Sequence, residues 1–151
     1  PSRKGEPVSD ISLDWPVNGD VGLAGDFQVD ASGDLLTCDG DVETRQRIIR
    51  RFLTNPRGIS PADGQILPPD YIFDVQYGVG LRRTIGSAIN ASRVETIKQL
   101  CRDGMMQEEG VASSPAPEVL VQKANGAIAV AGTFFGAQSK RALATPRVTL
   151  S

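Results

Sequence analysis

Two stretches of the chain repeat apolar residues at helical spacing, and a later stretch alternates them at strand spacing. This pattern predicts an α+β fold with helices first and antiparallel strands last. In the first helical stretch Ile48, Ile49, Phe52 and Leu53 form one apolar stripe, and Arg47, Arg50 and Arg51 are expected on the opposite side. Asp41 is the expected cap of this helix, because its carboxylate can accept from an unpaired first-turn amide, and Asn55-Pro56 ends it. A second, short helix is expected over 79–85. The third helical signal starts at the capping box Ser92/Glu95 and places Val94, Ile97, Leu100, Cys101 and Met105 on one face, with Gly104 weakening the last turn.

After a linker of small residues over 110–117, Glu118 to Gln122 alternates and leads into Asn125-Gly126, a dipeptide that favours a type I′ hairpin turn. The returning strand is expected over 127–135 and a final strand over 147–150. Towards the N-terminus, Phe27 to Asp30 and Leu35 to Cys38 read as a small hairpin around Gly33. Before it, Ile11, Leu13 and Trp15 alternate within a stretch rich in Pro, Gly, Ser and Asp. That stretch reads as an extended arm, docked either on its own domain or on a neighbouring subunit. The expected organisation is an arm over 1–25, one α+β domain over 26–135, and a C-terminal strand or tail over 136–151 whose removal leaves a soluble domain. The Pro/Gly-rich segment 57–76 is too long to be a plain connection and is expected to be functional or disordered.

Composition narrows the chemistry. The chain of 151 residues carries a net charge of −2, which exerts no overall pull on nucleic acid or an anionic membrane. No apolar run approaches membrane-spanning length, and Pro1 to Asp10 lacks the apolar stretch of a signal peptide, so the expected compartment is the cytosol. Cys38 and Cys101 are too few for a disulfide framework and are expected to be reduced thiols. There is no histidine, which removes the commonest general base and the commonest nitrogen ligand for metals. Gly78-Val79-Gly80 has only part of a nucleotide-binding glycine pattern and reads as structural. Asp34, Asp39 and Asp41 do not follow calcium-loop spacing.

Paired carboxylates drawn from Glu43, Glu95, Glu108 and Glu109 are the one arrangement able in principle to hydrolyse a glycoside. Each also has a structural reading in a helix cap, a helix start or a solvated helix end. Arg45, Arg47, Arg50, Arg51 and Arg57 are the densest charge cluster. They read either as a solvated face or, through Arg47, Arg50 and Arg51, as a contact with an acidic partner. No cofactor or metal is expected.

The string from Thr44 to Pro56 resembles the first helix and its Leu53-Thr54 exit in the phage baseplate sheath-initiator family, many of whose members were once labelled tail lysozymes. The resemblance resumes at Asp70-Tyr71-Ile72-Phe73 and at Tyr77-Gly78-Val79-Gly80-Leu81, which is similar to the family's Tyr-Gly-x-x-Leu segment. With the closing strands it covers roughly residues 26 to 135, the length of one ordinary domain. The chain departs from the family pattern in three places. Val75-Gln76 stands where Pro-Asp is usual before Tyr-Gly, residues 57–69 resemble an insertion, and the segment before the last strands is reduced to Ala116-Pro117-Glu118.

The resemblance implies a structural virion protein and not an enzyme, assembled in the host cytoplasm. It implies six copies around the tail tube, near the hub, each bound to baseplate wedge proteins and offering its C-terminal sheet to the first ring of tail sheath subunits. Strand pairing at an open sheet edge is the expected mechanism. The expected contact residues are Val119, Val121, Ile128, Val130 and Phe134, with Arg147, Val148, Thr149 and Leu150 in the last strand. The alternatives are a carboxylate-dependent peptidoglycan hydrolase and a nucleic-acid-binding protein acting through its basic helix.

Overall fold

A computed structural model describes residues 10–14, 20–21, 26–60, 62–85, 88, 90–124 and 127–150. Trp15 of the expected arm and the Asn125-Gly126 turn lie outside the described residues.

The N-terminal part forms three short strands, β1 (Asp10–Ile11), β2 (Leu13–Asp14) and β3 (Asp20–Val21), followed by β4 (Asp26–Phe27) and β5 (Thr37–Cys38). The small hairpin is present. Val29 bridges Leu35, and Asp30 closes the turn by accepting from the Ser32 amide, the Ser32 hydroxyl and the Asp34 amide, bonds that hold its carboxyl below the usual range. At the mouth of this hairpin the arm enters as an added strand, with β1 antiparallel to β5 and β2 antiparallel to β4. Gln46 fixes it there. Its carboxamide accepts from the Leu13 amide at 2.9 Å and donates to the Ile11 carbonyl at 2.6 Å, replacing a neighbouring strand's backbone. Residues 10–14 therefore dock on their own domain.

Helix α1 (Gly40–Leu53) follows. Its N-cap is Asp39, in extended conformation, so Asp41 lies inside the first turn. There it acts by favourable charge at the positive helix end and not as the cap. At the other end the Arg50 carbonyl accepts from both the amide and the hydroxyl of Thr54, and extended backbone at Thr54 stops the helix. Beyond α1, β6 (Gly58–Ile59) and β7 (Ile66–Leu67) form a short hairpin within the long loop.

The helix expected over 79–85 is a single 3-10 turn, Leu81–Thr84, because Gly78 and Gly80 both hold positive φ immediately before it. Helix α2 (Ala91–Met106) starts earlier than the Ser92/Glu95 box. Asn90 is its cap and accepts from the Arg93 amide at 2.8 Å, while Glu95 pairs with Lys98. Ile97, Cys101 and Met105 are buried as expected, but Leu100 sits at the edge of the stripe and is exposed.

The C-terminal sheet comprises β8 (Glu118–Ala124), β9 (Ala127–Phe135), β10 (Ala142–Ala144) and β11 (Arg147–Leu150). β9 is central. β8 pairs along its whole length on one side, while β10 and β11 lie in tandem along the other. Thr145 joins the tandem pair. Its amide donates to the Gly132 carbonyl and its hydroxyl accepts from the Gly132 amide, so the ladder continues across the break before Pro146. β3 adds in parallel to the outer edge of β11.

Alternation along β9 buries Ile128, Val130 and Phe134 against Ile48, Phe52, Leu81, Ile97 and Met105. Leu143, Val148 and Leu150 belong to the same core. The segment 136–151 is thus no detachable tail. Removing it strips one whole side of β9 and three core side chains, so the expectation of an intact remaining domain is corrected.

Candidate functional site

Two features of the surface stand out: an unpaired sheet edge, and a cleft beside an exposed apolar loop. The edge belongs to β8. Its residues pair with β9 from Glu118↔Thr133 to Ala124↔Ala127, and among the described residues no strand pairs with its outer side. Val119 and Val121 face inward and are half-buried against the core. Glu118, Leu120 and Gln122 face outward, and Leu120 is 55% exposed. The backbone groups of β8 directed away from β9 form a template for another strand.

This placement corrects much of the expected contact set. Ile128, Val130, Phe134, Val148 and Leu150 are core side chains, because their strands turn these positions toward the helices. β9 is paired on both sides, and the outer edge of β11 already carries β3 across Arg147 and Val148. Thr149 lies opposite Ala129 within the sheet. Of the nine expected residues, Val119 and Val121 alone lie on the strand with the open edge. Chain order alone offers no way to see that β11 lies beside β9 and leaves β8 outermost.

The second feature is built where the end of α1 meets residues 77–81. The Thr54 carbonyl accepts from the Gly80 amide at 2.9 Å, and the Arg51 carbonyl accepts from the Val79 amide at 2.8 Å. Gly78, at φ +115°, lies so close that a Cβ there would overlap the Thr54 carbonyl oxygen. Leu53 and Leu81 are buried beneath this junction. Tyr77 covers Arg51, whose guanidinium carbon is 4.3 Å from the ring centroid. Burial, with the Glu108 carboxylate in addition, raises the Tyr77 hydroxyl above its ordinary pKa against the opposing pull of Arg51, Arg50 and Arg47.

Arg51 is not on a solvated face. It lies three residues from Ile48, on a flank of α1 that is covered by 77–79 and by the end of α2. Its Nε donates to Glu108 Oε1 at 2.5 Å and its Nη1 to Gln107 Oε1 at 2.8 Å. The acidic partner foreseen for Arg51 is therefore within the same chain. Gly104 makes room for this, since a side chain there would press on Val79 and on the Arg51 stem. Arg47 pairs with Glu43 on its own helix.

Arg47, Arg50, Asp70, Tyr71, Tyr77 and Glu109 are among the residues lining a cleft of about 650 Å³. Tyr71 connects it to the loop. Its ring meets Tyr77 edge-on at 5.7 Å and Phe73 at 5.6 Å. Beyond it Ile72 and Phe73 are 75% and 83% exposed, and Ile59 and Ile66, register partners in the β6–β7 hairpin, are exposed as well. Large apolar residues inside a Pro/Gly-rich loop were the signal for this patch, but without periodicity they do not reveal whether they face in or out.

Of the carboxylate candidates, Glu108 and Glu109 both line the cleft, and three of the four are already engaged. Glu43, Glu95 and Glu108 are each ion-paired within the chain. Burial pushes the Cys101 thiol up to about 12. Among the described residues no group of three or more His, Cys, Asp or Glu side chains is placed to hold a metal ion, and no helix is long and apolar enough to cross a membrane. Comparison with known proteins returned no matching family model, no matching curated protein and no matching solved structure.

Proposed function

We propose that this chain is a structural assembly subunit that recruits its neighbour by strand addition along β8, and that it serves in a contractile-tail baseplate between wedge proteins and the first sheath ring. The single observation that carries the strand-addition part is the seven-residue outer edge of β8, unpaired among the described residues and set on a sheet whose other edge is partly closed by β3. An added strand gains main-chain hydrogen bonds, and its alternate side chains settle against Val119 and Val121 on one face and Leu120 on the other.

The baseplate assignment rests on the family-like segments, supported by the meeting of Thr54 with Gly78 and Gly80. In this reading six copies surround the tail tube. The exposed 57–76 loop and the cleft beside it face the wedge proteins, with Arg47 and Arg50 at the mouth.

The test uses proline in the edge strand. Successive residues direct their amides to opposite sides, so one of Leu120→Pro and Val121→Pro removes an outward donor while the other breaks a bond to β9. The variant that melts like the parent is the edge variant. In a reconstitution with purified wedge and sheath proteins it is expected to incorporate normally but to nucleate little sheath. Full sheath nucleation by that folded variant would refute the proposal.

A further inference from the structure

The side-chain order along β8 also matches itself. Seven residues of open edge, Glu118–Ala124, contain no proline, and the one large apolar side chain on the outward face, Leu120, is more than half exposed. Natural sheets protect such an edge or use it.

We infer that in the isolated protein β8 pairs antiparallel with β8 of a second copy, about a twofold axis that passes through Leu120. The inference rests on the same open edge as the proposed function, but not on the baseplate assignment. A twofold axis perpendicular to the sheet keeps the helix-covered faces of both copies on the same side, and an antiparallel pair places residues of equal facing opposite one another. With Leu120 on the axis, Val119 stands opposite Val121 of the second copy on the inward face. Leu120 stands opposite Leu120, and Glu118 opposite the uncharged Gln122.

Every apolar side chain then meets an apolar side chain, and no like charges face each other. The half-buried Val119 and Val121 extend the core ladder across the axis. Pairing stops where Lys123 reaches Pro117 of the second copy, because proline has no amide to donate. Moving the axis one residue along, to Val121, sets Leu120 against Gln122 and Val119 against Lys123, which forfeits both matches. The side chains thus select one register as well as a partner.

The register makes a disulfide prediction. Leu120→Cys brings two thiols together across the axis, whereas the two copies of Gln122→Cys are four residues apart along the strands, about 13 Å, beyond disulfide reach. Cys38 and Cys101 are buried and give little background. Under mild oxidation Leu120→Cys is expected to run at twice the 16.1 kDa chain mass on a non-reducing gel, and Gln122→Cys at the single mass.

In light scattering the parent protein is expected as a dimer and Leu120→Lys as a folded monomer, since two lysines would then face each other. A monomeric parent at the highest soluble concentration overturns the inference, as does cross-linking through Gln122→Cys in place of Leu120→Cys. The two readings fail separately. A monomeric parent that still nucleates sheath removes only the self-pairing, and a dimer that nucleates none removes only the proposed function.

Discussion

Replacing Arg51 by methionine keeps most of the apolar stem but removes the guanidinium that ties α1 to the end of α2. Three interactions go with it: the Nε bond to Glu108 at 2.5 Å, the Nη1 bond to Gln107 at 2.8 Å, and the stack on Tyr77 at 4.3 Å. The side chains of the ion pair are 11% and 7% exposed, so the carboxylate left behind is poorly hydrated. Breaking a buried pair from one side costs about 3–5 kcal/mol, and the cation over the ring adds about 0.5–2 kcal/mol. Methionine packing recovers part of this, which leaves an expected loss of about 3 kcal/mol, a large share of the roughly 5–15 kcal/mol typical of a domain.

Urea denaturation followed by circular dichroism measures the loss as a lower midpoint at unchanged slope. The double variant Arg51→Met/Glu108→Leu leaves no stranded charge and is expected to recover most of the loss, because an apolar replacement of a buried pair is often nearly neutral. A loss below about 1 kcal/mol for Arg51→Met, or no coupling in the cycle, would mean that the pair is hydrated and that the junction is held by other contacts.

Gly78→Ala is expected to cost about 2–3 kcal/mol or more in the same assay, from positive φ and from overlap with the Thr54 carbonyl. Gly64→Ala, at φ +69° with open space around it, should cost about 1 kcal/mol. Gln46→Ala removes both side-chain bonds to the arm and is expected to cost about 1–3 kcal/mol; hydrogen exchange should show selective loss of protection at Leu13. At alkaline pH, Cys101 has a raised folded-state pKa, so the stability it contributes is complete below about pH 9 and is lost as pH rises from 9 to about 12. Tyr77 contributes with the same sign above pH 10. Stability measured against pH should fall across this window, with a shallower fall in Cys101→Ala.

Local rules carried far where one residue's neighbours in sequence are also its neighbours in space. The apolar stripe of α1, the buried positions of α2 other than Leu100, and the bounds of β9 and β11 were legible for that reason. Helix starts were less so. Asp39 and Asn90 compete with Asp41 and Ser92 for the same role, and the winner depends on which residue holds extended backbone. β10, with the sequence Ala-Leu-Ala, has no strand propensity of its own and exists because the β9 edge beside it offers hydrogen bonds.

By itself the amino-acid sequence determined the class of the fold, the helix and strand periods, the missing imidazole chemistry and the residues available to each element. Tertiary structure decided which of those residues are surface. It sent Arg51 inward to Glu108, because the end of α2 supplies a carboxylate over a flank that the helical pattern alone reads as solvated. It also narrowed the expected strand-pairing surface to β8, because β9 is paired on both sides and β3 lies along Arg147 and Val148 of β11, while among the described residues β8 is paired on one side only. Pairing across long sequence separations is set by where whole elements pack, and that information is spread over the core and written in no single segment.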